Sequence, residues 1–314
     1  MAYQNIGTPR FYINVIEWLM QNGLVTNAEV GSLFRTLPVN TNLHEISSIS
    51  LPSFSQILTD QSFIAVLGHT YGNDTDHYFR LENIDDYTEI INYTPNYNGF
   101  SIATFLYNDL ELSFINEPTD ASVGIGSILV GTYYDMPHSP ELSLTMTREM
   151  DGVKRVRTRG GSDLVKHQYI RSPKWGDLAP WELWGNNYLI EDVSDLTSIS
   201  PKNQDLARVG RRTWSLSFNY LQDSDIFPDL SNVGWEGTYE NDYDSIGNTL
   251  LDDDTFFSLI HKTNGGQLPF IFQPDKDNFN IDDFAICKFD MDTFEFEQVA
   301  NGIYNIKLKI REVW

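Results

Sequence analysis

The sequence predicts a mainly β protein: a β-sandwich with one short flanking helix, preceded by an additional N-terminal β-rich module of a jelly-roll-like kind. Hydrophobic and polar residues alternate in several runs, as they do in half-buried antiparallel strands. Aromatic residues make up 13% of the 314 residues, and Asn, Asp, Ser and Thr are frequent between the hydrophobic runs. This combination is typical of strands joined by turns.

Two runs show the alternation most clearly. In "RRTWSLSFNYL" the inward positions are Trp214, Leu216, Phe218 and Tyr220. In "YNIKLKIREVW" the inward positions are Tyr304, Ile306, Leu308 and Ile310, and the outward ones are Lys307, Lys309 and Arg311. Because this last strand has a basic outer face, repulsion disfavours its pairing edge to edge with a second copy of itself.

The clearest helix is predicted at 253–262. Acidic residues open it, where the helix dipole favours negative charge, and Gly265 and Gly266 end it. The stripe that docks this helix on the sandwich consists of Phe256, Phe257 and Ile260. The run "FYINVIEWLMQNG" at 11–23 fits a helix or a strand, and its β-branched and aromatic residues favour a strand.

Two domains are predicted, at 1–118 and 119–314, with the loop-like stretch "INEPTDASVG" at 115–124 between them. Long irregular loops interrupt the second domain at 172–210 and 228–248. Both loops are rich in Trp, Tyr and Leu, so their composition is not that of a disordered chain. Because these side chains are apolar, the loops need a surface to pack against. An arm that orders against a partner protein fits this requirement.

The charge distribution predicts an interface between subunits. The net charge of −23 disfavours specific nucleic-acid binding. Residues 148–174 nevertheless hold eight basic side chains, whereas residues 1–147 hold three. Such a basic segment binds either a polyanion or the acidic face of a neighbouring copy of the chain. The rest of the surface is acidic and repels a polyanion, which favours the second interpretation. The candidate interface residues are Arg148, Lys154, Arg155, Arg157, Arg159, Trp175, Trp181 and Trp184.

The basic residues are predicted to project from a β-hairpin. The stretch "SLTMTREMDGVKRVRTRGG" contains a strand, the turn Met150-Asp151-Gly152 and a second strand. Asp-Gly is a strong signal for a short hairpin turn, so the turn is placed there.

No motif of catalysis or cofactor binding is present. The sequence has no GxSxG, GxxxxGK[ST], HExxH or CxxC. Its single cysteine, Cys287, excludes an internal disulfide and fits a small buried hydrophobe in the strand "FAICKFD". The carboxylate pair of a glycoside hydrolase is a spatial arrangement that a sequence does not reveal, so that enzyme class stays open.

Two acidic stretches resemble metal sites superficially. His69 and His77 flank two aspartates in "GHTYGNDTDHY", where a polar turn is the favoured interpretation. The stretch "DKDNFNIDD" at 275–283 departs from a calcium loop, because Asn280 and Ile286 replace the required Gly and Glu. We therefore predict no catalytic residue, no metal site and no cofactor. Membrane insertion is not expected either, because no apolar run has the length of a membrane span.

From residue 124 onward, the order of elements resembles that of the distal tail and minor tail proteins of tailed bacteriophages. The resemblance rests on the Trp-bearing strand in "GRRTWSLSFNYL", the Phe-rich helix in "DTFFSLIHKTNGG", the strand in "LPFIFQPD" and the closing strand at 303–311. In addition, "FRTLPVN" at 34–40 and "GTYYDMPHSP" at 131–140 resemble segments of structural proteins of marine or freshwater phages.

The resemblance implies a non-enzymatic virion protein that forms a ring, expected to be a hexamer, joining the tail tube to the tail tip. Its partners would be copies of itself and neighbouring tail proteins, and it would be assembled into the tail in the host cytoplasm. The N-terminal module departs from the family pattern, and it is expected to face neighbouring tail proteins or host glycan. Two alternatives stay open: a capsid decoration protein, and a carbohydrate-binding or carbohydrate-degrading β-sandwich for host attachment.

Overall fold

The structure is a computed structural model of the chain. It describes residues 6–25, 31, 33–37, 46–52, 54, 58, 61–69, 77–93, 99–107, 111–117, 124–141, 145–149, 153–167, 189–190, 199–200, 211–228, 255–280 and 283–313. The helices are α1 (Val15–Gln21), α2 (Asp223–Ile226) and α3 (Phe256–Lys262). Strands dominate the described residues, and every strand pair is antiparallel, which confirms the mainly β, sandwich-type class.

The strands are numbered in chain order. They are β1 (Arg10–Asn14), β2 (Ser48–Ser50), β3 (Ser62–Leu67), β4 (Tyr78–Asn83), β5 (Glu89–Tyr93), β6 (Phe100–Phe105), β7 (Leu112–Glu117), β8 (Ser127–Asp135), β9 (Thr145–Glu149), β10 (Val153–Arg157), β11 (Asp163–His167), β12 (Leu189–Ile190), β13 (Ile199–Ser200), β14 (Arg211–Gln222), β15 (Phe270–Gln273), β16 (Ala285–Phe289), β17 (Phe296–Ala300) and β18 (Ile303–Glu312). They form four sheets.

A ten-stranded sheet runs through the whole protein. Its order is β6-β3-β8-β1-β15-β16-β18-β14-β9, and β17 pairs with β18 beside this path. A four-stranded sheet has the order β2-β7-β4-β5, and β10-β11 and β12-β13 form separate two-stranded hairpins. The jelly-roll character of the N-terminal module stays a prediction.

The strand β1 lies in the middle of the large sheet, although it comes from the start of the chain. It pairs with β8 along one edge and with β15 along the other. Arg10 also forms a two-pronged ion pair with Asp135 of β8, with Nε–Oδ1 and Nη2–Oδ2 distances of 2.6 and 2.9 Å. The large sheet therefore contains strands from both sides of residue 118. Whether 1–118 and 119–314 fold as separate units stays a prediction.

Three hydrophobic clusters make this a layered structure. One cluster lies between the large sheet, the small sheet and α1, and includes Ile64, Phe79 and Phe114. A second packs α2 and α3 on the strands of the C-terminal half, and includes Trp214 and Phe272. The third covers the opposite face of the large sheet around Tyr12 and Phe63. Burial on both faces explains why the central strands lack simple alternation.

The predicted strand at 11–23 is a strand only as far as Asn14, where a helix begins. The Asn14 side chain caps α1 by accepting a hydrogen bond from the backbone N–H of Glu17 at 3.3 Å. The helix is buried on nearly all sides, including Val15 and Ile16. Burial on several faces obscures the hydrophobic stripe of a helix, so the pattern of this run fitted a helix and a strand equally and its β-branched and aromatic residues favoured the strand.

The predicted helix at 253–262 is present as α3, but its buried stripe differs from the predicted one. Thr255 caps it by accepting from the N–H of Ser258. Phe256 and Leu259 are fully buried, whereas Phe257 points outward and is 37% exposed. The prediction that Phe257 docks the helix in the core is therefore wrong, and Leu259 has that role.

The strand β14 also differs from its predicted pattern at one position. A β-bulge shifts its register against β18 between Phe218 and Leu221. Tyr220 lies in the bulge with a φ of +64° and is 74% exposed, so its predicted inward position is wrong. Leu221 takes the core position instead, because a bulge inserts one extra residue and reverses the side-chain alternation beyond it.

A buried ion pair joins β14 to β18. The Arg212 guanidinium contacts the Glu312 carboxylate with an Nη2–Oε1 distance of 3.0 Å, and it also donates to the Phe284 carbonyl at 3.1 Å. The backbone N–H of Arg212 donates to Glu312 Oε2 at 2.7 Å. Both side chains are almost entirely buried, so each depends on the other for its hydrogen bonds.

Replacing Glu312 by Ala is expected to lower the free energy of unfolding by about 3–5 kcal/mol, because the buried Arg212 is left without its carboxylate. The matched control is Arg311→Ala, the neighbour on β18, which removes a half-exposed pair with Glu149 and should cost at most about 1 kcal/mol. Denaturation in urea measures both values. Equal losses in the two variants would contradict this role for Glu312.

The two glycines after α3 allow a second paired test. Gly265 has a φ of +70° and open space around it, so Gly265→Ala should cost about 1–2 kcal/mol for the left-handed backbone alone. Gly266 has a φ of +84°, and an added Cβ would lie 2.9 Å from Phe289 Cβ. Gly266→Ala is expected to be clearly more destabilising in thermal unfolding. A loss no greater than that of Gly265→Ala would show that Phe289 moves aside freely.

Candidate functional site

The basic residues of the predicted interface lie mostly on the hairpin β10-β11. Arg155 pairs in register with Val165, and Val156 pairs with Leu164. The turn lies at 158–162, where the Thr158 side chain accepts from the N–H of Ser162 at 3.1 Å and donates to its carbonyl. The predicted hairpin about Asp151-Gly152 is therefore wrong, because β9 pairs with β14 and leaves β10 to pair with β11.

Both faces of this hairpin are exposed. Residues directly opposite each other in an antiparallel pair share a face, so Val156 and Leu164 lie on one face and Val165 lies on the other. Val156 is 50% exposed and Leu164 is 62% exposed. A two-stranded hairpin without a packed face is at best marginally stable in water. The hairpin therefore has the character of an arm that needs a surface to cover it.

The exposed positions of the hairpin carry four basic side chains and one acidic one. Arg155 forms an ion pair with Asp163, and an exposed pair of this kind contributes little to stability. Lys154, Arg157 and Arg159 are exposed as well. This surface is therefore both cationic and apolar, on a chain whose net charge is −23.

Arg148 does not belong to this arm. It lies on β9 and pairs in register with Arg212 of β14, so it shares the inner face of the large sheet with the buried Arg212–Glu312 pair. It is half-buried. The structure thus brings Lys154, Arg155, Arg157 and Arg159 together and separates Arg148 from them.

The other predicted interface residues lie outside the described part of the chain. Trp175, Trp181 and Trp184 fall there, as does nearly all of the predicted loops at 172–210 and 228–248. Within 172–210, the structure describes the short hairpin formed by β12 and β13.

An aromatic cluster forms a second, partly exposed surface, which sequence reasoning missed. Of its four rings Phe257 is exposed, and the other three are half-buried and pack against the C-terminal core. Phe227 follows α2, and its ring centroid lies 5.3 Å from that of Phe296, 5.5 Å from that of Tyr304 and 6.2 Å from that of Phe257. We call these four residues the aromatic rim. They come from α3 and three other chain segments, so no local pattern brings them together, and the sequence had predicted Phe257 to be buried.

Carboxylates border the aromatic rim. Desolvation raises the pKa of the Tyr304 phenol, and Asp223, which interacts with its hydroxyl, raises it further. Asp225, on the same short helix, accepts from the N–H of Gln222 at 2.8 Å. Glu295 and Glu297 flank Phe296 in sequence and are exposed. The aromatic rim is therefore an apolar surface with an acidic border.

The alternation of buried and exposed positions predicted for β18 is confirmed. Ile306, Leu308 and Ile310 are buried. On the other face, Lys309 pairs with Asp290 and Arg311 pairs with Glu149, each at 2.5 Å. These pairs neutralise much of the basic face, and they distinguish it from the hairpin β10-β11. The strand is not a sheet edge, since β14 lies on one side and β16 and β17 lie on the other.

The side chains that suggest chemistry have structural surroundings. Cys287 is fully buried, and burial raises the pKa of its thiol well above the ordinary value, which disfavours the reactive thiolate. His69 is also buried, with its Nε2 2.9 Å from Ser101 Oγ. In the acidic loop, Asp275 and Asn278 accept hydrogen bonds from backbone N–H groups two residues ahead. Among the described residues, no three His, Cys, Asp or Glu side chains are grouped as metal ligands.

Glu17 is the buried carboxyl that holds α1 against the neighbouring segment. Its Oε2 accepts from the backbone N–H of Thr36 at 3.0 Å, while Asn14 donates to the Phe34 carbonyl at 2.8 Å. Burial raises the pKa of Glu17, and the hydrogen bond from Thr36 opposes that shift. With 5% of its surface exposed, the carboxyl has a structural role rather than access to a substrate.

The chain matches none of the protein-family models, curated proteins or solved structures with which it was compared. In the part of the chain that the structure describes, no helix is both long and apolar enough to cross a membrane.

Glu17→Gln is expected to flatten the pH dependence of stability. Because the pKa of Glu17 is raised in the folded state, the folded protein keeps a proton that the unfolded chain releases. Stability of the native protein therefore falls as pH rises above the ordinary glutamate value towards the raised one. Chemical denaturation at a series of pH values measures this slope.

The control for that test is Glu17→Ala, which removes the acceptor for the Thr36 N–H and should destabilise the protein at every pH. A slope in Glu17→Gln identical to that of the native protein would show that Glu17 does not titrate in this range.

Proposed function

We propose that the protein is a non-enzymatic structural protein of a tailed-phage virion, a ring subunit that joins the tail tube to the tail tip. The observation that carries the proposal is the hairpin β10-β11, a cationic and apolar arm exposed on both faces. Its charge is opposite to that of the body, which suits contact between copies of the same chain. The β-sandwich architecture and the absence of motifs for catalysis agree with an assembly role.

The arm fits self-association better than nucleic-acid binding. A polyanion would approach four exposed basic side chains against the repulsion of a chain that has 44 acidic and 21 basic residues in all. A second copy presents acidic and aromatic surface instead, and it also covers the apolar Val156 and Leu164. On this proposal the subunit is assembled in the host cytoplasm and then incorporated into the tail.

The direct test combines a native mass measurement with electron microscopy. Purified protein is expected to form a closed oligomer that appears as a ring in negative stain, and labelled virions should show it at the tail. Label distributed over the head would favour a capsid decoration protein instead. A protein that stays monomeric at all concentrations and is absent from virions would overturn the proposal.

The double variant Arg157→Glu and Arg159→Glu is expected to weaken self-association about tenfold or more, because each exposed charge pair contributes about 0.2–1 kcal/mol and reversal adds repulsion. Sedimentation at low and high salt measures the association constant, and the difference between variants should shrink at high salt. The control, Lys307→Glu with Lys309→Glu on the exposed face of β18, changes the net charge equally but lies outside the hairpin. It also removes the exposed Lys309–Asp290 pair, which contributes about 1 kcal/mol at most to stability. An equal loss in the control would mean that net charge alone controls assembly.

A further inference from the structure

The chain segment that leads into the hairpin β10-β11 and the aromatic rim lie near different ends of the strand β14. The hairpin β10-β11 follows β9, whose last residue, Glu149, lies opposite Arg211 at the start of β14. The aromatic rim lies at the other end of the same strand, where Leu221 pairs with Tyr304. Ten residues of strand at about 3.3 Å each separate these two ends by roughly 30 Å. The strand that precedes the hairpin in sequence therefore ends at one end of β14, and the aromatic rim lies at the other end.

The two surfaces are complementary in chemistry. One face of the arm carries Val156 and Leu164 with the cationic Lys154, and the other face carries Val165 with Arg155 and Arg157. The aromatic rim offers Phe257 and the half-buried rings around Phe227, with Asp223 at its border. Arginine binds both to carboxylates and to the faces of aromatic rings, so an arm of this composition has partners for its charge and for its apolar surface there.

We propose that the hairpin β10-β11 of one subunit docks on the aromatic rim of the next copy, so that the subunits assemble head to tail. This inference rests on the self-assembly proposed above, and it specifies which surfaces meet. A contact between two different surfaces of identical subunits closes into a ring when the rotation between neighbours closes, and otherwise builds an open filament. A two-fold contact of hairpin with hairpin would instead bring four or more basic side chains of each copy together.

Cysteine cross-linking tests this pairing directly. The chain has one cysteine, Cys287, which is fully buried, so a short bifunctional maleimide reagent will report only on introduced thiols. One protein carries Leu164→Cys in the arm, and a second carries Phe257→Cys in the aromatic rim. The two proteins are mixed, allowed to assemble and treated with the reagent, and covalent dimers are identified by mass.

The expected result is a mixed dimer of Leu164→Cys with Phe257→Cys. The matched control, Leu106→Cys, is an exposed leucine at the end of β6 on the far edge of the large sheet, and it should give no mixed dimer with Leu164→Cys. Where Phe257→Cys impairs assembly, Tyr220→Cys replaces it, because Tyr220 is exposed beside Leu221 at the same end of β14.

Two outcomes separate the docking proposal from the proposed function. If the native protein assembles but cross-links form only between two Leu164→Cys chains, or only with Leu106→Cys, the head-to-tail docking is wrong and self-assembly stands. Assembly without any cross-link to Phe257→Cys or Tyr220→Cys also overturns the docking. A native protein that remains monomeric contradicts the proposed function itself.

Discussion

The large sheet depends on one strand from the start of the chain. β1 forms backbone hydrogen bonds with β8 on one edge and β15 on the other, so it joins strands that lie more than a hundred residues apart in sequence. Phe11 packs into the C-terminal core, and Tyr12 packs into the core on the opposite face. Without β1 the sheet would divide into two parts, each with an unpaired edge. Such non-local pairing also predicts slow folding, because long loops must close before the contacts form.

The hairpin β10-β11 is not part of the ten-stranded sheet and forms a two-stranded sheet of its own. The chain leaves the sheet at β9, forms the hairpin, and returns to the sheet as β14. Among the residues that the structure describes, no hydrophobic layer of the same subunit covers the hairpin, although Leu164 and Val156 are apolar. On the function proposed above, the cover is a surface of another copy of the same chain, whose net charge is opposite to that of the hairpin.

The structure brings only some of the predicted interface residues together. The run of basic residues predicted a projecting hairpin, and Lys154, Arg155, Arg157 and Arg159 do lie on one. Its turn was misplaced, because Asp151-Gly152 is a strong local signal that loses to the pairing of β9 with β14. Arg148 was assigned to the arm because it is close in sequence, yet the sheet holds it beside Arg212. The aromatic rim escaped prediction since its four rings come from four separate segments.

The sequence by itself determined the mainly β class, the alternation of β18 and the presence of α3, because each of these follows from the burial pattern of neighbouring residues. Tertiary structure alone decided the rest. Surfaces from distant segments decide that Leu259 rather than Phe257 enters the core. They also decide that Tyr220 departs from the alternation of β14 and that the helix α1, which directly follows β1, is buried on nearly all sides. A local pattern records which residues prefer burial, but only the assembled sheets determine how many sides of each element are covered.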